Sequence, residues 1–153
     1  MHVRNEIENL LFLYAERVDA GDFNGVAELF SNGEIVGPDG EVAAGGHDAV
    51  LALYQHSTRL YPDNGTPHTK HVTSNVIVDA DEANHIAKAR SYFTVFQQVD
   101  DFPLQAIISG RYHDTFEKAA GKWRFKQRCM LPELFGDLSK HLLIDVGGVP
   151  SSA

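Results

Sequence analysis

Between Asn5 and Ala20 the apolar positions fall where one face of a helix needs them. Ile7, Leu10, Leu11, Tyr14 and Val18 recur at roughly 100° per residue. Phe12, Ala15 and Asp19 form a second cluster beside that stripe, so this helix is expected to touch neighbours on more than one side. Gly21 supplies a C-terminal stop. Asp22 is a natural N-cap for a second helix over Phe23–Phe30, with Val26, Ala27, Leu29 and Phe30 on its buried side. Ser31-Asn32-Gly33 reads as a turn, Glu34–Val36 as a short strand and Pro38-Asp39-Gly40 as another turn. Gly45-Gly46-His47 introduces a third helix, Asp48–Leu60, carrying Val50, Leu51, Leu53, Tyr54 and Leu60. The breaker-rich loop Tyr61–Pro67 ends the helical half of the chain.

Beyond that loop the period changes to two. His71–Asp79, Ala83–Val99, Leu104–Glu117 and Lys122–Leu131 read as long strands. Tight connections at Ala80–Glu82, Asp100–Pro103 and Ala120-Gly121 predict that they pair as an antiparallel series. Residues 1–145 read as a single domain and 146–153 as a loose Gly/Pro/Ser tail. Helices first and strands afterwards predict an α+β fold: three N-terminal helices packed on one face of a strongly curved antiparallel sheet. Gly110, midway along its strand, is a place to bend. A bent sheet closed by helices is a cone with an open mouth, and its cavity is the default ligand site.

Composition removes several classes of partner. The formal charge is −8 over 153 residues, which argues against nucleic acid and anionic membrane surfaces. No apolar run approaches a membrane span. Cys129 is the one cysteine, so no intramolecular disulfide is possible, and it is expected to be a small buried apolar group. Met1–Glu6 shows no apolar signal segment, and a cytoplasmic location is expected. His68 and His71 have a spacing that places them on opposite faces of a strand, so no metal is expected. Gly45-Gly46 fits neither phosphate-loop nor dinucleotide spacing, so no cofactor is expected.

The candidate chemistry lies in two distant segments, Tyr14-Ala15-Glu16-Arg17-Val18-Asp19 and His71-Val72-Thr73-Ser74-Asn75. Asp19, in the last turn of its helix, opposes the macrodipole unless a partner such as an imidazolium compensates. The alternative is a solvated Asp beside a helix stop. On strict alternation His71 shares a face with Thr73, Asn75 and Ile77, while Val72, Val76 and Val78 take the other. That polar row lines a pocket if its face is concave and meets solvent if it is not.

These segments stand in order with Ala27-Glu28-Leu29-Phe30, Gly33, Gly45-Gly46-His47-Asp48, Gly110-Arg111-Tyr112-His113-Asp114 and Trp123–Arg128. Together they cover the chain to Leu131. In them the sequence resembles the SnoaL-like polyketide cyclase and dehydratase group of the nuclear transport factor 2-like (NTF2-like) superfamily. Scytalone dehydratase, the bile-acid 7α-dehydratases and the hexachlorocyclohexane dehydrochlorinase are the chemical models the resemblance suggests. The last two have an Asp late in the first helix, a His early in the sheet and an Arg near the end. The bile-acid enzymes add a Tyr five residues before the Asp. The resemblance therefore implies Tyr14, Asp19, His71 and Arg128 as site residues. The second in-sheet carboxylate of the bile-acid enzymes has no match here, the nearest position being Thr94.

The implied chemistry is cofactor-independent general acid–base catalysis on a hydrophobic cyclic small molecule: dehydration, isomerisation or cyclisation. Asp19 would accept the Nδ1 proton of His71, and the other ring nitrogen would move the substrate proton. The carboxylate raises the His pKa and burial lowers it. Tyr14 points about 140° away from Asp19 around the helix. It either polarises a substrate carbonyl or is a core residue on the Leu10/Leu11/Val18 stripe. Arg128 would stabilise an enolate or a leaving anion, and Arg111 is a candidate to pair with an acid at a dimer interface. Alternation, however, sets Arg124 and Arg128 opposite Trp123, Phe125 and Cys129, so a bulge is needed to turn Arg128 inward. Tyr54, Phe93 and Phe96 are candidate wall residues, although the last two differ in parity. A homodimer is expected through the second sheet face, to which Val72, Val76 and Val78 would contribute. The competing reading is a non-catalytic small-molecule-binding or dimerisation module on the same fold.

Overall fold

The computed structural model describes residues 2–144, so the tail expected over 146–153 lies outside the described residues. Helices α1 (Val3–Asp19), α2 (Phe23–Leu29) and α3 (His47–Ser57) combine with strands β1 (Glu34–Val36), β2 (Val42–Gly45), β3 (Thr69–Asp81), β4 (Ile86–Val99), β5 (Phe102–Ala119) and β6 (Lys122–Phe135). The expected stripe of α1 is its buried side, through Ile7, Leu11, Tyr14 and Val18. The helix stops where expected. Gly21 has φ +72°, and a Cβ there would lie 2.3 Å from the Gly65 carbonyl oxygen, so only glycine closes this turn. Asp22 then caps α2 by accepting from the Gly25 amide at 2.9 Å. Helix α3 ends at Ser57, short of the expected Leu60, because Thr58 is extended and bridges Leu142.

The α+β class holds, and the sheet is mixed rather than wholly antiparallel. Its order is β2-β1-β6-β5-β4-β3, and β1 runs parallel to β6. Parallel neighbours need a long connection rather than a hairpin; here most of the chain intervenes. The sheet is open, with β2 and β3 as its edges. β2 was not anticipated, since Val42-Ala43-Ala44-Gly45 carries no polar/apolar alternation. The expected Ala80–Glu82 turn comes two residues later, as a short 3-10 turn over Glu82–Asn84 capped by Asp81. At mid-strand, a Cβ on Gly110 would lie 2.2 Å from the Leu131 carbonyl oxygen, so this glycine also serves the close approach of β6.

Two bulges overturn the face assignments made from strict alternation. In β3 the register shifts between Ser74 and Ile77, where Asn75 has φ +54°. One extra residue reverses the parity of everything beyond it. Val76 and Val78 consequently pack against the core, while Ile77, expected beside His71, is exposed together with Val72. In β6, Gln127 pairs with Thr115 but Phe125 pairs with Phe116, leaving Lys126 as the extra residue. Trp123, Phe125 and Arg128 are therefore all buried. Cys129, expected inside, is only half-buried.

Candidate active site

The last turn of α1 brings Asp19 against the start of β3, and the carboxylate there is fully used. Its Oδ1 accepts from the Thr69 hydroxyl at 2.8 Å and from His71 Nδ1 at 2.6 Å. Its Oδ2 accepts the His71 backbone N–H at 2.7 Å. Both side chains are nearly sealed, His71 at 9% and Asp19 at 11% exposure. Burial alone would push the Asp19 carboxyl up, but the His71 side chain, by hydrogen bond and charge, with the His71 and Thr69 donors, outweighs it and holds the pKa below the usual value. An ionised carboxylate only accepts, so Nδ1 donates and the neutral ring presents the lone pair of Nε2. The two groups that the sequence suggested, 52 residues apart, do meet.

Tyr14 joins them from the other side of its helix. Its ring stands edge-on to His71 at a centroid distance of 6.4 Å. Its hydroxyl is hydrogen-bonded to that of Tyr54. Burial pushes both phenols up, Tyr54 well above the ordinary value, with Arg128 as an opposing influence. Both remain protonated at neutral pH. One hydroxyl donates to the other, leaving one phenolic proton for a ligand.

Arg128 is inside, as the bulge requires, but not as a free cation. Its Nε and Nη2 form a fork to the two oxygens of Asp114 at 2.9 and 3.0 Å. Its guanidinium lies 4.3 Å from the ring centre of Tyr14 and 3.7 Å from that of Tyr112. Burial works against this charge, yet the carboxylate outweighs it and holds the arginine above its usual pKa. Arg128 is wholly buried and does not line the cavity described next. It stands behind the tyrosines.

That cavity has a volume of about 310 Å³. Val36, Phe93, Val95, Ile108, Met130 and Leu142 make much of its apolar wall, and Tyr14, Tyr54, His71 and His141 bring polar groups to it. Of the expected wall residues, Tyr54 and Phe93 line it, and Phe96 does not. Thr94 is also absent from the lining and hydrogen-bonds Ser109 at 2.8 Å instead. Asp19 opens on a separate depression beyond His71, lined also by Phe12, Glu16 and Thr73. His71 thus stands between the two spaces. A larger hollow of about 700 Å³ lies elsewhere, around Arg59, Tyr61, Asp63 and Lys140, and does not include the pair. His68 belongs to that hollow, with Nε2 2.9 Å from Asp63. Arg111, a possible partner across a dimer, bonds Glu133 of its own chain at 3.0 Å. Among the described residues no group of three or more His, Cys, Asp or Glu is placed to hold a metal.

Two residues escaped the sequence reading. Asp114 shares parity with Tyr112 and Phe116 in an inward row, and a lone acid in such a row demands a cation; that signal was present. His141 follows the last periodic strand, where no pattern marks it. It sits in a segment stitched to α3 and the sheet. The Arg59 amide donates to the His141 carbonyl at 2.8 Å, the Leu143 amide to Ser57 at 2.9 Å, and Gln97 Nε2 to the Lys140 carbonyl at 3.0 Å.

A SnoaL-like domain family model matches residues 1–129. No curated protein sequence gives a significant match. Among solved structures, a protein from Novosphingobium aromaticivorans assigned provisionally as a scytalone dehydratase is 24% identical, covering 97% of this chain and 92% of its own, at a TM-score of 0.69. An NTF2-like protein with a cystatin-like fold from the same organism is 23% identical over 82% of this chain and 79% of its own, at 0.67. LinA is 16% identical over 96% and 93%, at 0.66. At these identities the likeness is one of fold.

Proposed function

We propose that this chain, which belongs to the SnoaL-like domain family, is a cofactor-independent acid–base enzyme: a dehydratase, isomerase or cyclase acting on a hydrophobic ring compound. The observation that carries the reading is a single one. A carboxylate-oriented imidazole, His71 held by Asp19 at 2.6 Å, forms part of the wall of an apolar cavity. A fold neighbour with a scytalone dehydratase name is consistent with it. In the proposed reaction Nε2 of His71 takes a proton from the carbon next to a carbonyl, and the electron pair moves onto the carbonyl oxygen. The Tyr14–Tyr54 pair donates its one free phenolic proton to that oxygen. In a dehydration the pair then returns to expel a β-hydroxyl, which leaves as water with the proton handed back by His71. Asp19 acts through His71 as a positioning residue. Arg128 acts through the phenols, whose pKa it lowers against burial.

The test uses a panel of one- and two-ring ketones in D2O, with exchange of the α-protons followed by NMR. The protein should accelerate exchange of at least one member, and His71→Gln should lose that acceleration by at least about 10²-fold. Ketones that bind without exchange would favour the binding module instead. The proposal also includes a homodimer through the outer sheet face, where Val72, Ile77 and Tyr92 are exposed. Sedimentation at micromolar concentration should give twice the chain mass, and a strict monomer would refute this part.

A further inference from the structure

The polar groups of the cavity are not all used by the reaction above. His141 is 6% exposed and lines the same cavity as His71, with their ring centres 6.2 Å apart. Its Nδ1 is buried and has no hydrogen-bond partner among the described residues. A buried imidazole nitrogen left without a partner costs free energy, so the vacant hydrogen bond needs an account. The backbone that carries the ring is also held in place. Its backbone carbonyl accepts from the Arg59 amide at 2.8 Å and its amide donates to the Leu138 carbonyl at 3.1 Å.

We propose that His141 is an oxygen-binding residue of this site: a neutral imidazole that hydrogen-bonds the hydroxyl or carbonyl oxygen of a one- or two-ring ligand while His71 handles the proton. The inference rests on the acid–base reading of the cavity and adds to it the group that selects the ligand. Burial, then the charge of His71, push His141 down to about 3, with Asp19 opposing. The ring is therefore uncharged at neutral pH and does not compete with His71 for the proton. A neutral imidazole has one donor and one acceptor nitrogen, so it serves either a carbonyl or a hydroxyl. The ring size of the ligand follows from the space. About 310 Å³ is at the lower end of the roughly 300–1,000 Å³ usual for ligand pockets. That suits a fused pair of rings better than a four-ring skeleton.

The probes are 2-naphthol and naphthalene, matched in carbon skeleton and differing by one hydroxyl. Affinities are measured for the wild type, His141→Phe and His141→Gln. His141→Phe keeps a ring of similar bulk and removes both nitrogens. The wild type should prefer 2-naphthol, and His141→Phe should cut that preference by about tenfold while leaving naphthalene binding unchanged. Gln should restore part of it. Unchanged naphthalene affinity also reports that the variant has kept its cavity. An unaltered preference in His141→Phe overturns the role of His141 and leaves the cavity reading intact. Failure of both probes to bind the wild type overturns the two readings together.

Discussion

Asp114→Ala is expected to destabilise the fold by about 3–5 kcal/mol, more than any other single polar substitution in the core. The carboxylate makes a two-point contact with Arg128, and neither side chain has any exposure. Removing it leaves a guanidinium that cannot shed its charge, inside a site walled by Tyr14, Tyr112 and Phe125. The reverse deletion is not equivalent. In Arg128→Met the stranded group is a carboxyl that burial already pushes upward, so it escapes by taking a proton. Arg128→Met should therefore cost clearly less than Asp114→Ala at pH 6, and the difference should narrow at alkaline pH as protonation becomes harder. Replacing both, as Asp114→Leu with Arg128→Met, should recover most of the loss because no buried charge remains. Urea midpoints at matched slope give the three values. Equal costs for the two single variants would mean that water reaches the pair, and its sealed character would have to be abandoned.

The same pair shows what the amino-acid order revealed and what it concealed. Helix stripes, the Gly21–Asp22 stop-and-cap and four long strands are local events, written in residues a few positions apart. The Asp19–His71 meeting spans 52 positions, and it became visible through resemblance to a family, not through periodicity. The face of each strand was legible only as far as its first bulge. At Asn75 the cue was an Asn, a residue that tolerates the left-handed region. At Lys126 no residue type announces the extra step, and only the burial of Phe125 and Arg128 on one side makes it evident. The parallel β1–β6 pair and the placement of His141 depend on how distant segments pack, so no local pattern records them. Arg128 was expected to reach toward a ligand. Its actual partners, Asp114 and two tyrosine faces, were concealed because the carboxylate that claims it lies on a neighbouring strand.

Asp19→Asn is expected to lower α-proton exchange by about 10²–10⁴-fold, although it changes one atom. The reason lies in the donors around the carboxylate. Oδ2 faces the His71 backbone N–H, which cannot reverse its role, so the single oxygen of Asn must take that position. The amide NH2 is then turned toward Thr69 and His71 Nδ1, where Oδ1 had accepted twice. Facing a donor, Nδ1 gives up its proton, which moves to Nε2. The nitrogen that should collect the substrate proton already carries one. Nitrogen chemical shifts of the ring should therefore show the opposite tautomer in Asp19→Asn. Thr69→Val, which removes one donor and leaves the carboxylate, should retain the wild-type tautomer and most of the rate. Stability supplies an independent check. The Asp19 pKa is lowered by folding, so its contribution is present above the ordinary carboxylate value and lost as the pH falls through the lowered one. The stability deficit of Asp19→Asn against wild type should accordingly be full at pH 7 and shrink below about pH 4. An Asn variant that keeps the proton on Nδ1 and exchanges ketone protons at the wild-type rate would remove Asp19 from the chemistry. His71 would then be left without the group that aims it.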